Sequence, residues 1–469
     1  MIIKVENLGM LRQAEFEIGN FTIICGKNNT GKTYATYALY GFIDFWRKRF
    51  RLTVDPKAVD ALLEKGTVVF HLASFVELIT EELDRASKEY VKYLPSVFAS
   101  KRRNFENTTF SVRLQSNKSM NKYSPMDRTI VFGAEERIKL QFTATSEYEL
   151  KISLLAEEKA KDQLPPLGIL SEAISDTIKD IVYQGIIPNT FVSSAERTGT
   201  AIFQKELDFN KNKLVELLKD EKSKFHPLLI LNKFTSDYAL PVRDNVNFIR
   251  ELESISNWES FISKSNPEIL ALFSDIIGGE YKIVKNVGVC FVPNYNRRLQ
   301  LTLNESSSAV RSLLDIGFYL RHIARPGDML MVDEPELNLH PENQRLLARI
   351  FARLIKLGIK VFITTHSDYI IKELNTLIML NSNEQYIQSI KSEEGYKDEE
   401  LLKVEDFRVY IADYQKLLIP PNKRKVSVPT LLRADINAEF GIELPSFDKA
   451  IDEMNRIQES LYFAKEGGK

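Results

Sequence analysis

Apolar and polar positions along the chain fall into runs whose period changes several times. Three strand-like runs open it, IIKV, AEFEI and FTIIC, joined by short polar or glycine turns. After Thr33, YATYALYGFIDFWRKRF keeps apolar residues at helical spacing, which predicts a helix directly behind the third strand. Helical segments continue over 57–104 (AVDALLEKG, FVELITEELDRASKEYVKYL) and end in a basic KRRN run. Over 108–155 the period becomes two. TTFSVRLQ, RTIVFG, RIKLQFTAT and YELKISLLA predict an antiparallel sheet. The proline pair in QLPPLG breaks this pattern, and 168–285 reads mainly helical, interrupted by one strand, NTFVSSAERTG. VGVCFVPN and RRLQLTLN then predict two strands, and SSSAVRSLLDIGFYLRHIA a serine-rich turn opening a helix. The apolar run LMVD, the helix NQRLLARIFARLIKLG and the apolar run VFITT precede a tail of about 85 residues whose pattern reads helical.

Composition bounds the class. The chain has 469 residues, 44% hydrophobic and 27% charged, ordinary values for a globular protein with room for two or three units. The net charge of −1 leaves any nucleic-acid contact to a local patch. Three basic runs could touch phosphates: Arg47-Lys48-Arg49 with Arg51, Lys101-Arg102-Arg103, and Lys423-Arg424-Lys425. Interleaved acidic residues make each read first as a solvated face, so nucleic-acid binding stays open. Cys25 and Cys290 sit in apolar runs and read as reduced core residues. The histidines do not pair with cysteines at zinc spacing. No run reaches the ~18 apolar residues of a membrane span, and MIIKVENLGML starts directly as a strand and not as a signal peptide. The expectation is a cytoplasmic protein without membrane contact. The chain carries no repeat and no long heptad array.

The candidate chemistry is phosphate chemistry. Gly26, Lys27, Asn28, Asn29, Thr30, Gly31, Lys32 and Thr33 form a P-loop between an apolar strand and a helix. Its glycines let successive N–H groups face a phosphate at a helix N-terminus. Lys32 can reach the β and γ oxygens of ATP, and the Thr33 hydroxyl can ligate Mg2+. LMVDE ends an apolar strand in two carboxylates: Asp333 would hold Mg2+ and Glu334 would polarise the attacking water. His366 follows VFITT, a strand expected beside the LMVD strand in a parallel sheet, and could hydrogen-bond the γ-phosphate. Ser306 to Arg311 open a helix and resemble the serine-rich turn with which ATP-binding-cassette heads contact a γ-phosphate; backbone donors and the helix dipole support that role for Ser307, Ser308 and Arg311. A plain N-capping serine cluster is the alternative for that turn.

Together these motifs resemble the cassette-type ATPases of the RecF, Rad50 and overcoming-lysogenisation (OLD) group. SSSAVRSLLDIGFYLRH, GDMLMVDEPELNLHPENQRLLARIFARL and IKVFITTHSDYIIKELN look like AAA-type ATPases of bacterial anti-phage operons. The best fit is the ATPase subunit of PARIS-type systems, with Septu and retron-associated ATPases next. The likeness is strong over 1–40 and 300–380 and weaker at SAERTG. It covers little of 41–290 and implies an α/β, ABC-type P-loop ATPase head, to which the periods above add an antiparallel β subdomain and a large, mainly helical insertion. The segments would be 1–40 and 286–385 for the head, 41–107 and 161–285 for helical insertions, 108–160 for the β segment, and 386–469 for a helical docking tail.

The resemblance also implies that the serine turn of one subunit closes on ATP held by another, in a homo-oligomer. Ala309 stands where related heads commonly carry glycine. Similar heads place a turn like Glu196-Arg197 near the nucleotide, and a surface ion pair is the other reading of that pair. The implied function is an ATP-hydrolysing sensor and scaffold with ATP and Mg2+ as cofactors. It would control a separate operon-encoded effector nuclease, with a phage protein as trigger. A RecF-like DNA-end-clamping ATPase is the alternative. The tail lacks the Asp-x-Asp of an OLD-type nuclease and no histidine follows His366, so the chain is not expected to cut nucleic acid itself.

Overall fold

The opening runs form β1 (Ile2–Leu8), β2 (Leu11–Glu17) and β3 (Phe21–Gly26). They belong to a computed structural model that describes residues 1–114, 127–132, 138–146, 149–156, 165–183, 186–202, 238–418 and 424–466. The helical stretch expected over 203–237 and the basic residue Lys423 lie outside the described residues. The chain divides into two units. One comprises Met1–Lys4, Leu39–Leu94 and Thr109–Asn189, the other Val5–Ala38, Pro95–Thr108 and Thr190–Lys469.

The first unit is built on an antiparallel sheet of β4 (Thr67–His71), β6 (Asp127–Phe132), β7 (Ile138–Ser146) and β8 (Glu149–Ala156) in the order β4-β8-β7-β6, while β5 is Thr109–Arg113. β4 corrects the reading of 41–107 as purely helical. TVVFH is too short for helical period to show, and its pairing with β8 is long-range. Aromatic rings fill part of this unit's core. Trp46 stacks on Phe50 at 5.1 Å and meets Tyr183 edge-on at 5.5 Å, and Phe42 packs on Tyr90. The helix Lys32–Lys48 ends here, and a buried lysine closes it. Lys179 donates to the carbonyls of Trp46, Arg47 and Phe50 at 3.0, 3.1 and 2.9 Å, satisfying groups that a helix end leaves unpaired.

The second unit carries a six-stranded sheet in the order β16-β15-β3-β14-β13-β9. Its further strands are β9 (Thr190–Ser193), β13 (Met329–Asp333), β14 (Lys360–Thr365), β15 (Phe407–Leu417) and β16 (Val426–Arg433). A separate ribbon comprises β10 (Gly279–Val284), β11 (Gly288–Pro293) and β12 (Leu301–Thr302). β15, β3, β14, β13 and β9 run parallel, and only β16 is antiparallel. Helices cover such a sheet on both faces, which is why FTIIC, LMV and VFIT are buried apolar runs without alternation. Phe21 stacks on Phe407 at 5.4 Å and meets Phe351 edge-on, joining β3 to its neighbours.

The tail departs from expectation. Residues 386–469, read as helical, supply β15 and β16, and β15 pairs with β3 from Phe407↔Phe21 to Ala412↔Gly26. β10 likewise stands where 168–285 read helical. In both places, pairing with a partner remote in sequence or across a turn outweighs local period. SSSAVRSLLDIGFYLRHIA also forms no continuous helix. It breaks into Ser308–Ser312, Leu314–Phe318 and a π turn, Tyr319–Ile323.

Candidate functional site

Parallel strands deliver their carboxyl ends to one edge of the sheet, and the phosphate-chemistry motifs gather there. β3 ends in the P-loop, β13 in Asp333-Glu334, β14 in Thr365-His366, and β9 in Ser194 to Arg197. The registers Asp333↔Thr364, Thr365↔Cys25 and Val332↔Ser193 hold these ends level.

The P-loop turns tightly. Gly26 adopts φ 130°, and a Cβ there would lie 2.4 Å from the carbonyl oxygen of Ala412. Gly31 adopts φ 98° and meets the Leu11 side chain, where a Cβ would come within 2.7 Å. Only glycine fits either place. Lys32 is buried, and its ammonium curls back onto the carbonyls of Gly26 and Lys27 at 2.9 and 2.8 Å. Burial lowers its pKa, while Glu334 and Asp333 pull it back up. Thr33 stands exposed at the helix start.

Asp333 is 2% exposed. The Thr364 hydroxyl donates to its Oδ1, while its Oδ2 is buried without a hydrogen-bond partner among the described residues. Burial pushes the carboxyl up to about 6. A buried carboxylate oxygen left unpaired beside an ammonium and a phosphate loop is the donor that a hydrated divalent cation completes, so the residues present fit Mg2+ with ATP.

Glu334 has left-handed backbone, φ 52°, which costs a non-glycine residue about 1–3 kcal/mol. Both sides of the residue are gripped. Its N–H donates to the Thr364 carbonyl at 3.1 Å, and its carbonyl accepts from Arg197 at 2.7 Å. The turn aims its carboxylate at His366 Nε2, 3.0 Å away. That hydrogen bond holds the carboxyl below its ordinary value.

Three contributors went unread in the sequence. Glu336 accepts from the His366 N–H at 2.6 Å and the Thr365 hydroxyl at 3.0 Å, fixing the histidine turn. Thr364 holds Asp333. Tyr37 donates to Glu196 at 3.2 Å, which ties the SAERTG turn to the first turns of the P-loop helix. The third carboxylate of DEPE was the visible signal for Glu336; the other two have none. Arg197 is no surface ion pair. It is 1% exposed, and among the described residues it donates only to main-chain carbonyls.

The serine turn is built as a cap. Ser307 accepts from the Val310 N–H at 3.3 Å, and Ser307 and Ser308 are exposed. Arg311 folds into its own turn, donating to the Leu303 and Ser306 carbonyls. Among the described residues, no hydrogen bond joins Ser307, Ser308 or Arg311 to the P-loop. A cavity of about 750 Å³ is lined by Asn7, Leu11, Tyr34, Phe98 and Phe105, and Leu11 is also the side chain that meets Gly31. Tyr34 and Phe98 stack at 5.2 Å on its wall.

A parallel sheet that brings a P-loop, an Asp-Glu strand end and a histidine turn to one edge defines an α/β P-loop ATPase head. The AAA ATPase domain family matches residues 1–371, and the chain belongs to that family. It is an ATP-hydrolysing enzyme. Comparison with curated proteins finds no match. Among solved structures, the SMC head domain from Thermotoga maritima is similar at 9% identity and TM-score 0.28, over 93% of this chain and 98% of that one. The SmcHead bound to the C-winged helix domain of ScpA is similar at 12% identity and TM-score 0.29, over 92% and 97%. Likeness at that level decides nothing about function. No helix among the described residues is long and apolar enough to cross a membrane.

Proposed function

We propose that this ATPase is the sensor and scaffold subunit of a bacterial anti-phage system, and that its hydrolysis cycle controls a separate effector, a nuclease. The observation that carries the chemistry is the convergence of Lys32, Asp333, Glu334 and His366 on one sheet edge. The defence role is supported by the wording of residues 300–380.

Thr33 and the unpaired Oδ2 of Asp333 would hold Mg2+, which when bound draws charge off the phosphate oxygens. Lys32 exchanges its carbonyl acceptors for phosphate oxygens, a charge-assisted replacement. Glu334, kept ionised by His366, orients water and accepts its proton. His366 answers to the γ-phosphate position through its bond to Glu334. The cavity lined by Tyr34 and Phe98 receives the nucleoside. Ser307 and Ser308, exposed at their turn, close on the nucleotide of a second head in a homo-oligomer, so nucleotide biases two arrangements of the heads.

Lys32→Ala is expected to lose ATP binding. Glu334→Gln is expected to keep ATP, lose about 10²–10⁴-fold in turnover and accumulate the closed oligomer. Turnover equal to wild type in Glu334→Gln overturns the assignment. Native mass spectrometry of that variant, purified with its operon in ATP and Mg2+, tests the role. A homo-oligomer carrying a second operon-encoded polypeptide supports it. A bare dimer retaining only nucleic acid moves the function to a RecF-like DNA clamp.

A further inference from the structure

We propose that Arg197 is a positioning residue that links the serine turn to the water-orienting Glu334, so that one head's contact with its neighbour sets the geometry of its own hydrolysis site. The inference rests on the sandwich reading above and deepens it.

The helix that the serine turn opens fails to continue. Residues 308–318 have the pattern of one helix, yet it breaks at Leu313, with φ −106° and ψ 6°. In an uninterrupted helix the Ile316 N–H would bond the Ser312 carbonyl. Here the Ile316 N–H turns to the Asp315 carboxylate at 2.8 Å, and the freed Ser312 carbonyl accepts from Arg197 Nε at 2.7 Å. The other arm of the same guanidinium reaches the nucleotide edge. Nη1 donates to the carbonyls of Ser194 and Asp333 at 3.0 and 2.6 Å, and Nη2 to that of Glu334 at 2.7 Å.

One planar fork therefore spans the end of the serine-turn helix and the two carboxylate residues of the site. Its geometry is fixed, since guanidinium donors cannot move independently. Shifting Ser312 tilts the fork and drags the Glu334 carbonyl with it. Glu334 is sensitive to such a pull because its left-handed backbone persists only while both sides of it are held. A second tie runs beside the first: the Ser312 hydroxyl lies 3.2 Å from the Leu337 carbonyl, just past the same turn, and shares its one proton between that acceptor and the Ala309 carbonyl at 3.0 Å. No carboxylate hydrogen-bonds the guanidinium among the described residues, so its bonds are spent on main-chain position. A surface ion pair would leave these segments independent. This arrangement joins them.

The test is Arg197→Lys, which keeps the charge and loses the fork. Its expected signature is a fall in kcat of about 10²-fold, the size of effect that an ångström-scale misplacement produces, with ATP affinity and KM unchanged. A kcat equal to wild type, or a loss confined to KM, overturns the proposal. Should Arg197→Lys not fold, Ser312→Ala removes the second tie and is expected to lower kcat in the same KM-independent way. An unchanged kcat there overturns it too.

The link itself is read from a double-mutant cycle with Ser308→Arg, which blocks the serine turn. If Arg197 transmits that contact, the double variant is no slower than the slower single variant. Losses that multiply show independent roles and overturn the link while leaving the sandwich standing. A Ser308→Arg variant with wild-type turnover instead overturns the sandwich reading, and the kcat effect of Arg197→Lys then stands as positioning of Glu334 alone.

Discussion

Lys179 and Arg197 are both buried cations whose bonds go to main-chain carbonyls, and the difference between them lies in where those carbonyls sit along the chain. Lys179, which also pairs with Asp176 at 2.8 Å, serves residues 46, 47 and 50, all from one helix end. Arg197 serves residues 194, 312, 333 and 334, from three separate segments. The first is a cap and acts on stability. The second is a tie between segments and acts on chemistry. A buried cation thus serves the fold or the reaction according to the sequence separation of the carbonyls it holds.

Substitutions on either side test this contrast. Trp46→Ala, at the helix end that Lys179 closes, should cost about 3–5 kcal/mol by emptying an aromatic core site. Thermal unfolding measures this, and a loss well below that range would show that the cavity collapses. Lys179→Met should cost about 1–3 kcal/mol, because three buried carbonyls lose their donor. Turnover per folded molecule should stay unchanged, and a fall in kcat at constant melting temperature would erase the distinction. Glu336→Gln should act on the other side of the contrast. It weakens the acceptor for the His366 turn and should lower kcat about tenfold, equivalent to ~1.4 kcal/mol, with little change in melting.

The smallest effect concerns pH. Burial lowers the pKa of His322, whose Nδ1 sits 2.8 Å from the Trp258 carbonyl, below the ordinary 6.5. The unfolded chain therefore binds the proton more readily than the folded one. Stability from this group is fully present above pH 6.5 and is lost as pH falls through the lower, folded-state value. Denaturation midpoints of His322→Gln should show a flatter slope over that window, and identical slopes would exclude the contribution.

Legibility followed the range of the physics. The P-loop, Asp333-Glu334 and His366 were readable because each joins a buried apolar strand to a polar turn within about ten residues, a local signature. β4, β10 and the two strands of the tail were not, since short or mixed patterns take the state that a remote partner imposes. β15 became a strand because β3 stood ready to pair with it. Glu196-Arg197 was legible as a pair and illegible as a device: nothing near it in sequence announces Ser312 or Glu334.

By itself the sequence determined the chemistry of the nucleotide edge, because a phosphate loop, a carboxylate pair and a histidine each keep their character in local context. Which carbonyls Arg197 holds, where the 308–318 helix breaks and how Glu334 is kept in its strained turn were set by tertiary contacts. Those depend on segments more than a hundred residues apart meeting within hydrogen-bond distance, and hydrogen bonds of that range leave no periodic trace along the chain.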